Sequence, residues 1–432
     1  MPRTEPVAIG LTEAGRTRAR RLLTLRLRSR AMGNVQTVDV LLPPRLHRSG
    51  HTRYHVLYLL HGAGGDYRSW ITAGIEQLLG TLPVIAVMPE GSQDGMDGSY
   101  ADWASMAPAA GTPTRPVSER APAWESYHIR ELVPFIDEHF PTLAGPAGRA
   151  IAGISMGGGG ATKYAAEYPG TFGYVGTFSG EAHPLLPIAL AFQPKNCRWG
   201  NPATDQVVWR DNDSTVLAGN LRGIRVFIRS GDGTPGPFDA PAPPADPAQA
   251  AVRQIQLVIE YGAHLENLAF VAALRAAGVS DVDARFFPGS HSLPYWQRDT
   301  REFVAWLALQ FRRPLRPPAV ASIASAHARF TSWGWSFSVH RRVREFLYLR
   351  LTRSSIRATG SGTVDVETPP QRPHHRYRVT VGAAATTVAA DGSGHVRFRL
   401  DLGPSHTHQQ TRFGHAVVRT WRTVTATVRI VA

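Results

Sequence analysis

Residues Ile151–Tyr164 read IAGISMGGGGATKY, and no other stretch of the chain restricts its fold as much. Small and apolar residues lead in as a buried strand would, and a helical pattern leads out. Between them stands one serine, Ser155, with Gly153 and Gly157 on either side. A backbone passes from strand to helix in so few residues only where neighbouring positions carry no side chain. Two readings follow. One is a tight turn that happens to contain serine. The other is a nucleophile elbow, in which strain and a helix N-terminus hold the hydroxyl at the tip of the turn.

The surrounding pattern favours the elbow. Continuous apolar runs (HVLYLL, LPVIAVMPEG, RAIAGIS, FGYVGTFSG and IRVFIRSGD) alternate with helical patterns such as WESYHIRELVPFIDEHF and AQAAVRQIQLVIEYGAHLENLAFVAALRAAG. Runs apolar on both faces suit a parallel sheet covered on each side, and the alternation predicts an α/β domain. LLTLRLRSR and NVQTVDVLLPP alternate instead, as antiparallel strands with one wetter face do. At 432 residues the chain exceeds one ordinary core, so two domains are expected. The boundaries read as a tail over 1–19, an α/β domain over 20–312, a Pro- and Ala-rich linker over 313–328, and a small all-β sandwich over 329–432. The last is of the immunoglobulin-like kind, because RYRVTV, HVRFRLDL and TVTATVRIV are short alternating strands between turn residues.

Composition narrows the classes. No run is expected to be long and apolar enough to cross a membrane, and the basic N-terminal stretch lacks the apolar core of a signal peptide. One cysteine, Cys197, permits no internal disulfide and no cysteine-based zinc site. It is expected as a small buried residue. The net charge of +14 sits mainly in the last domain, where 16 arginines face 5 acids from Arg329 onward. All but Lys163 and Lys195 of the 47 basic residues are arginine, as a GC-rich coding background would produce.

A serine hydroxyl becomes nucleophilic only when a base takes its proton. His291, in the loop PGSHSLPYW between a late strand and a final helix, follows Ser155 in the order nucleophile, acid, histidine. Two carboxylates compete for the remaining role. Asp232 lies just after a predicted strand in RSGDGTPG, and Glu260 lies within the helical segment IQLVIEYGAHLENLAF. The tetrahedral intermediate needs backbone N–H donors, expected from Met156 and, in the glycine-rich run HGAGG, from Ala63. No phosphate loop or dinucleotide fingerprint is present, so no cofactor is expected.

With these residues in view, the first domain resembles the esterase D / antigen 85 group of α/β-hydrolases, which includes mycolyltransferases. The marks run in order: SRAMGNVQTVDVLLPP, YLLHGAGGDYRSW, VIAVMPEGSQDG, SYADW, WESYHIRELVPFID, GISMGG, RWGNPATDQVVWRDNDS, SGDGTPG, LENLAF and SHSLPYW. The resemblance implies Ser155 as nucleophile, His291 as general base and Glu260, ahead of Asp232, as the acid. It implies Ala63 and Met156 as oxyanion donors, with His61, Gly62, Trp103 and Leu293 about the substrate. His61 and Leu293 depart from the mycolyltransferase pattern, which has aspartate and tryptophan there; HGAGG is closer to the broader esterases, whose acceptor is water. The implied activity is ester hydrolysis through an acyl-serine. The alternatives are acyl transfer to a sugar or lipid hydroxyl, and a non-catalytic envelope-binding protein. The implied location is secreted or envelope-associated, with cytoplasmic as the alternative.

Other features are weaker. Asp94, Asp97 and Asp102 lack calcium-loop spacing and read as a solvated loop. Trp103 and Trp124 read as core or cleft-wall aromatics. His374, His375, His406 and His408 lack metal-ligand spacing, and no metal is expected. The expected partners are an ester or acyl-lipid substrate and, through the basic domain, an anionic surface such as envelope polymer or acidic lipid. Nucleic acid is not expected, because no recognition motif or aromatic platform accompanies the charge.

Overall fold

The computed structural model describes residues 6–10, 21–46, 52–93, 96–104, 121–192, 196–241, 246–408 and 420–431. Asp94 lies outside the described residues, as does the side chain of Cys197. Nine strands form the main sheet: β1 (Pro6–Gly10), β2 (Leu22–Arg28), β3 (Val35–Leu41), β4 (His55–Leu60), β5 (Val84–Pro89), β8 (Arg149–Ile154), β9 (Tyr174–Phe178), β10 (Arg225–Gly231) and β11 (Val282–Phe287). A two-stranded ribbon, β6 (Ser92–Gln93) and β7 (Met96–Asp97), follows β5. The order is β1-β2-β3-β5-β4-β8-β9-β10-β11. The first three pairings are antiparallel and the remaining five parallel, so this is a mostly parallel α/β-hydrolase sheet.

The apolar runs are continuous because both faces of the sheet are covered. Val56, Tyr58 and Leu60 of β4 join one core with Ala161, Tyr164 and Ala165 of the helix Met156–Glu167, and with Phe270 and Leu274 of the long helix Pro247–Ala276. Leu57 and Leu59 point the other way, into a core with Phe303, Val304 and Leu307 of the last helix, Leu293–Phe311. Successive strand residues thus serve opposite layers, as the period of two requires.

The C-terminal region is a sandwich of two antiparallel sheets. Six strands, β12 (Ala321–Ser325), β15 (Leu347–Leu351), β16 (Ser355–Gly360), β21 (Arg422–Ile430), β18 (Arg376–Val381) and β19 (Ala384–Ala389), pair in that order. Four more, β13 (Arg329–Ser332), β14 (Trp335–His340), β17 (Thr363–Glu367) and β20 (Arg397–Asp401), form the second sheet. Ile323, Leu349, Ile356 and Ala358 from the first meet Phe330, Phe337, Val364 and Leu400 from the second.

Three expectations need correction. Strand β12 falls inside the segment read as linker; of its inward residues Ala321, Ile323 and Ser325 only Ile323 is large and apolar, too little to raise the pattern. Strand β1 falls inside the segment read as tail and pairs with β2. The helix Pro247–Ala276 is, by length and composition, apolar enough to cross a membrane. Its buried face carries Glu260, Glu266 and Asn267 against the sheet, the placement of a packed helix rather than a lipid-exposed one.

The two parts are joined by polar contacts. Asn220 donates to Ala166 O (2.9 Å) and Ala324 O (2.8 Å) and accepts from Ala324 N (2.8 Å), tying β12 to the first domain. Asp211 accepts from Ala326 N (3.0 Å) and Arg344 (2.7 Å). Beside them Lys163, buried, reaches Glu125 at 2.8 Å. Burial works to raise the Glu125 pKa, yet the charges of Lys163 and His327 outweigh it and hold this carboxyl below its usual range. Burial, with Glu125 next to it, pushes Glu167 well above that range. Among the described residues Glu125, Glu167 and His327 form the one group spaced to hold a metal ion. The Lys163 ammonium already meets both carboxylates, at 2.8 and 3.6 Å.

Candidate active site

Strand β8 ends at Ile154, and the helix begins at Met156. Ser155 between them has φ 52° and ψ −123°, a backbone state that non-glycine residues rarely adopt. The flanking glycines explain how the turn closes. A Cβ on Gly153 would fall 2.2 Å from Gly157 O, and one on Gly157 would fall 2.3 Å from Leu60 O and 2.5 Å from His61 O. The serine is thereby lifted out of the sheet edge onto the first turn of a helix whose leading N–H groups have no intrahelical acceptor.

His291 arrives from the loop between β11 and the last helix. Its Nε2 is 2.9 Å from Ser155 Oγ, and its Nδ1 is 2.6 Å from Glu260 Oε2. The His291 N–H donates to Gln256 O on the long helix (3.2 Å), and the Trp296 ring stands edge-on to the imidazole at 4.9 Å. Glu260 is only 1% exposed. Its second oxygen, Oε1, accepts from Ser179 Oγ (2.7 Å), Ser230 Oγ (3.1 Å) and Gly231 N (2.5 Å). These donors stand in for the water that burial removes from the carboxylate.

The other expected residues fall into two groups. Ala63 and Gly62 lie beside Ser155 in a cleft of about 760 Å³, walled by Ile154, Ile255, Val258, Ile259 and Trp296. Met156 follows Ser155 as the first residue of the helix, where the N–H groups lack an intrahelical acceptor. Asp232, in contrast, lies outside the cluster. It accepts from Thr234 N (2.8 Å) and Thr234 Oγ1 (2.5 Å), closing its own loop, while Glu260 occupies the histidine's side. His61 is 1% exposed and so does not face a substrate. Its Nδ1 contacts Gly62 O at 2.8 Å and its Nε2 is 3.3 Å from Glu90, which makes it a brace behind the loop. Trp103 is 8% exposed and donates to Gly98 O (3.0 Å), away from the residues that wall the cleft. Leu293 opens the last helix, 42% exposed and likewise outside that wall.

Several contributing residues were not singled out from sequence, or, like Asp97, were read only as part of a solvated loop. Tyr100 donates to His61 O (2.9 Å) and Asp97 accepts from Gly64 N (2.8 Å), so both fix the glycine loop. Ser179 and Ser230 hold Glu260, and Trp296 Nε1 donates to Ser179 Oγ (3.2 Å). Ser179 carried a weak local signal, since it ends the strand pattern FGYVGTFSG at the same edge as Ser155; the others depend on contacts distant in the chain.

This arrangement, a serine at a strained strand-to-helix turn with a histidine and a buried carboxylate in line, is that of a hydrolase nucleophile site. Comparison with known proteins bears on the family and the fold. The esterase family model, described as "Putative esterase", matches residues 29–307. Esterase Rv1288 of Mycobacterium tuberculosis is 35% identical over 226 residues, covering 49% of this chain and 46% of that protein. The chain therefore spans about half the length of that relative. The diacylglycerol acyltransferase/mycolyltransferase Ag85C of Mycobacterium avium is 29% identical over 260 residues, covering 56% of this chain and 67% of its own. Among solved structures, the Staphylococcus aureus serine hydrolase FphF shares the fold with a TM-score of 0.50 at 19% identity, over 66% of this chain and 98% of its own. With well over half of its length matched by the family model, the chain belongs to the esterase family of α/β-hydrolases.

Proposed function

We propose that the protein is a serine carboxylesterase acting through an acyl-Ser155 intermediate. The observation that carries this reading is the unbroken line Ser155 Oγ to His291 Nε2 (2.9 Å) and His291 Nδ1 to Glu260 Oε2 (2.6 Å). His291 Nε2 takes the hydroxyl proton as Oγ attacks the ester carbonyl. Glu260 accepts the Nδ1 proton's hydrogen bond, fixes the tautomer and stabilises the imidazolium. The N–H groups of Ala63 and Met156 hold the oxyanion. The C–O bond to the leaving alkoxide then breaks, and His291 returns the proton to it. Water, deprotonated by His291, attacks the acyl-enzyme; the bond from the acyl carbon to Ser155 Oγ breaks, Oγ takes the proton back from His291, and the acid leaves.

A second reading, acyl transfer to a sugar or lipid hydroxyl, uses the same acyl-enzyme with an alcohol in place of water. It is favoured by the named activity of the Ag85C relative and by the apolar cleft wall of Ile255, Val258 and Ile259. The experiment is turnover of p-nitrophenyl esters, with mass spectrometry of the acyl-enzyme in the presence and absence of alcohol acceptors. Ser155→Ala is expected to abolish both turnover and adduct. Equal turnover by Ser155→Ala would refute the reading, and acceptor-dependent loss of the adduct with a new ester product would select transfer. The protein is further proposed to work at the cell envelope, which the family resemblance implies and the basic charge of the β region supports.

A further inference from the structure

The β sandwich distributes its charge unequally between its two outer faces. On the four-stranded sheet two of the three strand arginines are neutralised, Arg329 being the exception. Arg397 meets Glu367 at 2.7 Å and Asp391 at 3.0 Å, and Arg399 meets Asp365 at 2.6 Å. The six-stranded sheet is different, since none of its strands contains an aspartate or glutamate. Its outward residues include Arg350, Arg357, Arg376, Arg378 and Arg429, all exposed. Among the described residues none of these five has an aspartate or glutamate within ion-pair distance.

The register brings these arginines together. Arg350 lies directly across from Arg357, and Arg378 directly across from Arg429. Like charges in opposed positions destabilise a sheet, so folding alone does not favour this arrangement. Arg357 faces Thr425, four residues from Arg429 along β21. The array therefore extends about 14 Å across the strands and about 13 Å along them. Between the guanidinium groups stand short hydroxyl side chains, among them Thr425, Thr427 and Thr380, and Thr387 on the edge strand lies across from Arg378.

We infer that this face docks on an anionic phospholipid leaflet, with its arginines on headgroup phosphates. Guanidinium forks match phosphate oxygens bidentately, and spaced basic side chains on a broad sheet surface suit a planar array of phosphates. A single-stranded nucleic acid would need a row of stacking rings, and the one outward aromatic side chain on these strands is Tyr348. The inference deepens the envelope-surface reading above and is independent of the chemistry at Ser155.

The test is co-sedimentation of the full chain with phosphatidylcholine vesicles with and without phosphatidylglycerol, at low and high salt. Binding is expected only to the anionic vesicles and only at low salt. Each basic side chain at an anionic surface contributes about fivefold to partitioning, so R357Q/R378Q/R429Q is expected to weaken binding about a hundredfold. R397Q/R399Q on the opposite sheet is expected to change it by less than about twofold, the effect of arginines already neutralised. Ser155→Ala is expected to bind as the unaltered chain does, so loss of catalysis and loss of docking are read separately. Equal binding to neutral vesicles, an unaffected triple variant, or equal loss in R397Q/R399Q would overturn the assignment. Tighter capture by soluble polyphosphate than by vesicles would overturn the lipid as partner.

Discussion

Replacing Glu260 by glutamine tests the site most sharply, because the surroundings dictate how the amide must sit. Oε1 accepts from Gly231 N, Ser179 Oγ and Ser230 Oγ. The Gly231 N–H can only donate, so the glutamine carbonyl oxygen is held on that side and its NH₂ group faces His291 Nδ1. The amide then donates to Nδ1, which forces the imidazole proton onto Nε2, pointing at Ser155 Oγ. In that tautomer the ring has no lone pair for the serine proton. A wrong-tautomer substitution of this kind costs ~10⁴-fold in kcat, about 5 kcal/mol of transition-state stabilisation. The assay is steady-state hydrolysis of a p-nitrophenyl ester, with thermal unfolding as a check on folding. Asp232→Asn is the companion, expected within about threefold of wild type because, among the described residues, the Asp232 carboxylate accepts from Thr234 in its own turn. Retention of kcat within tenfold by Glu260→Gln, or an equal collapse in Asp232→Asn, would refute the reasoning.

Two further outcomes follow from the packing. Gly157→Ala would drive a methyl group against Leu60 O and His61 O, at the root of the loop bearing Ala63; a loss of about 1–3 kcal/mol in stability is expected, with kcat falling further than simple destabilisation explains. Normal kcat in that variant would refute the close-approach account of the elbow. Burial pushes the carboxyl of Asp299 up to about 7 from 3.8, with Arg298 offsetting part of the effect. The folded state then holds the proton over a window where the unfolded chain has lost it, so stability falls as pH rises from about 4 to about 7. Asp299→Asn removes this term, and its Tm is expected to gain on wild type between pH 4 and pH 8, by on the order of 2–4 kcal/mol of stability; parallel Tm curves would refute it.

The stretch around Ser155 was legible because it is local. An elbow needs glycine on both sides of the nucleophile and a strand-to-helix switch within a few residues, and all of that is written in neighbouring letters. The α/β alternation was legible for the same reason, since burial on both faces shows as unbroken apolar runs. The strand Ala321–Ser325 escaped notice because Ile323 is its single large apolar residue among alanines and serines, and its pairing with Leu347–Leu351 only arises on folding.

Chain order and resemblance brought His291 forward as the base, and resemblance alone ranked Glu260 above Asp232. What only the tertiary structure decided is which carboxylate meets the imidazole. Asp232 and Glu260 sit 28 positions apart in sequence, yet the closing of the long helix against β10 brings Glu260 to Gly231 and His291 while Asp232 turns back on its own loop. The same holds for His61, whose letter suggests a ligand contact and whose burial makes it a brace. Sequence determines which groups a turn can present. The distances among groups from separate elements belong to the packing of those elements, and proton transfer depends on those distances.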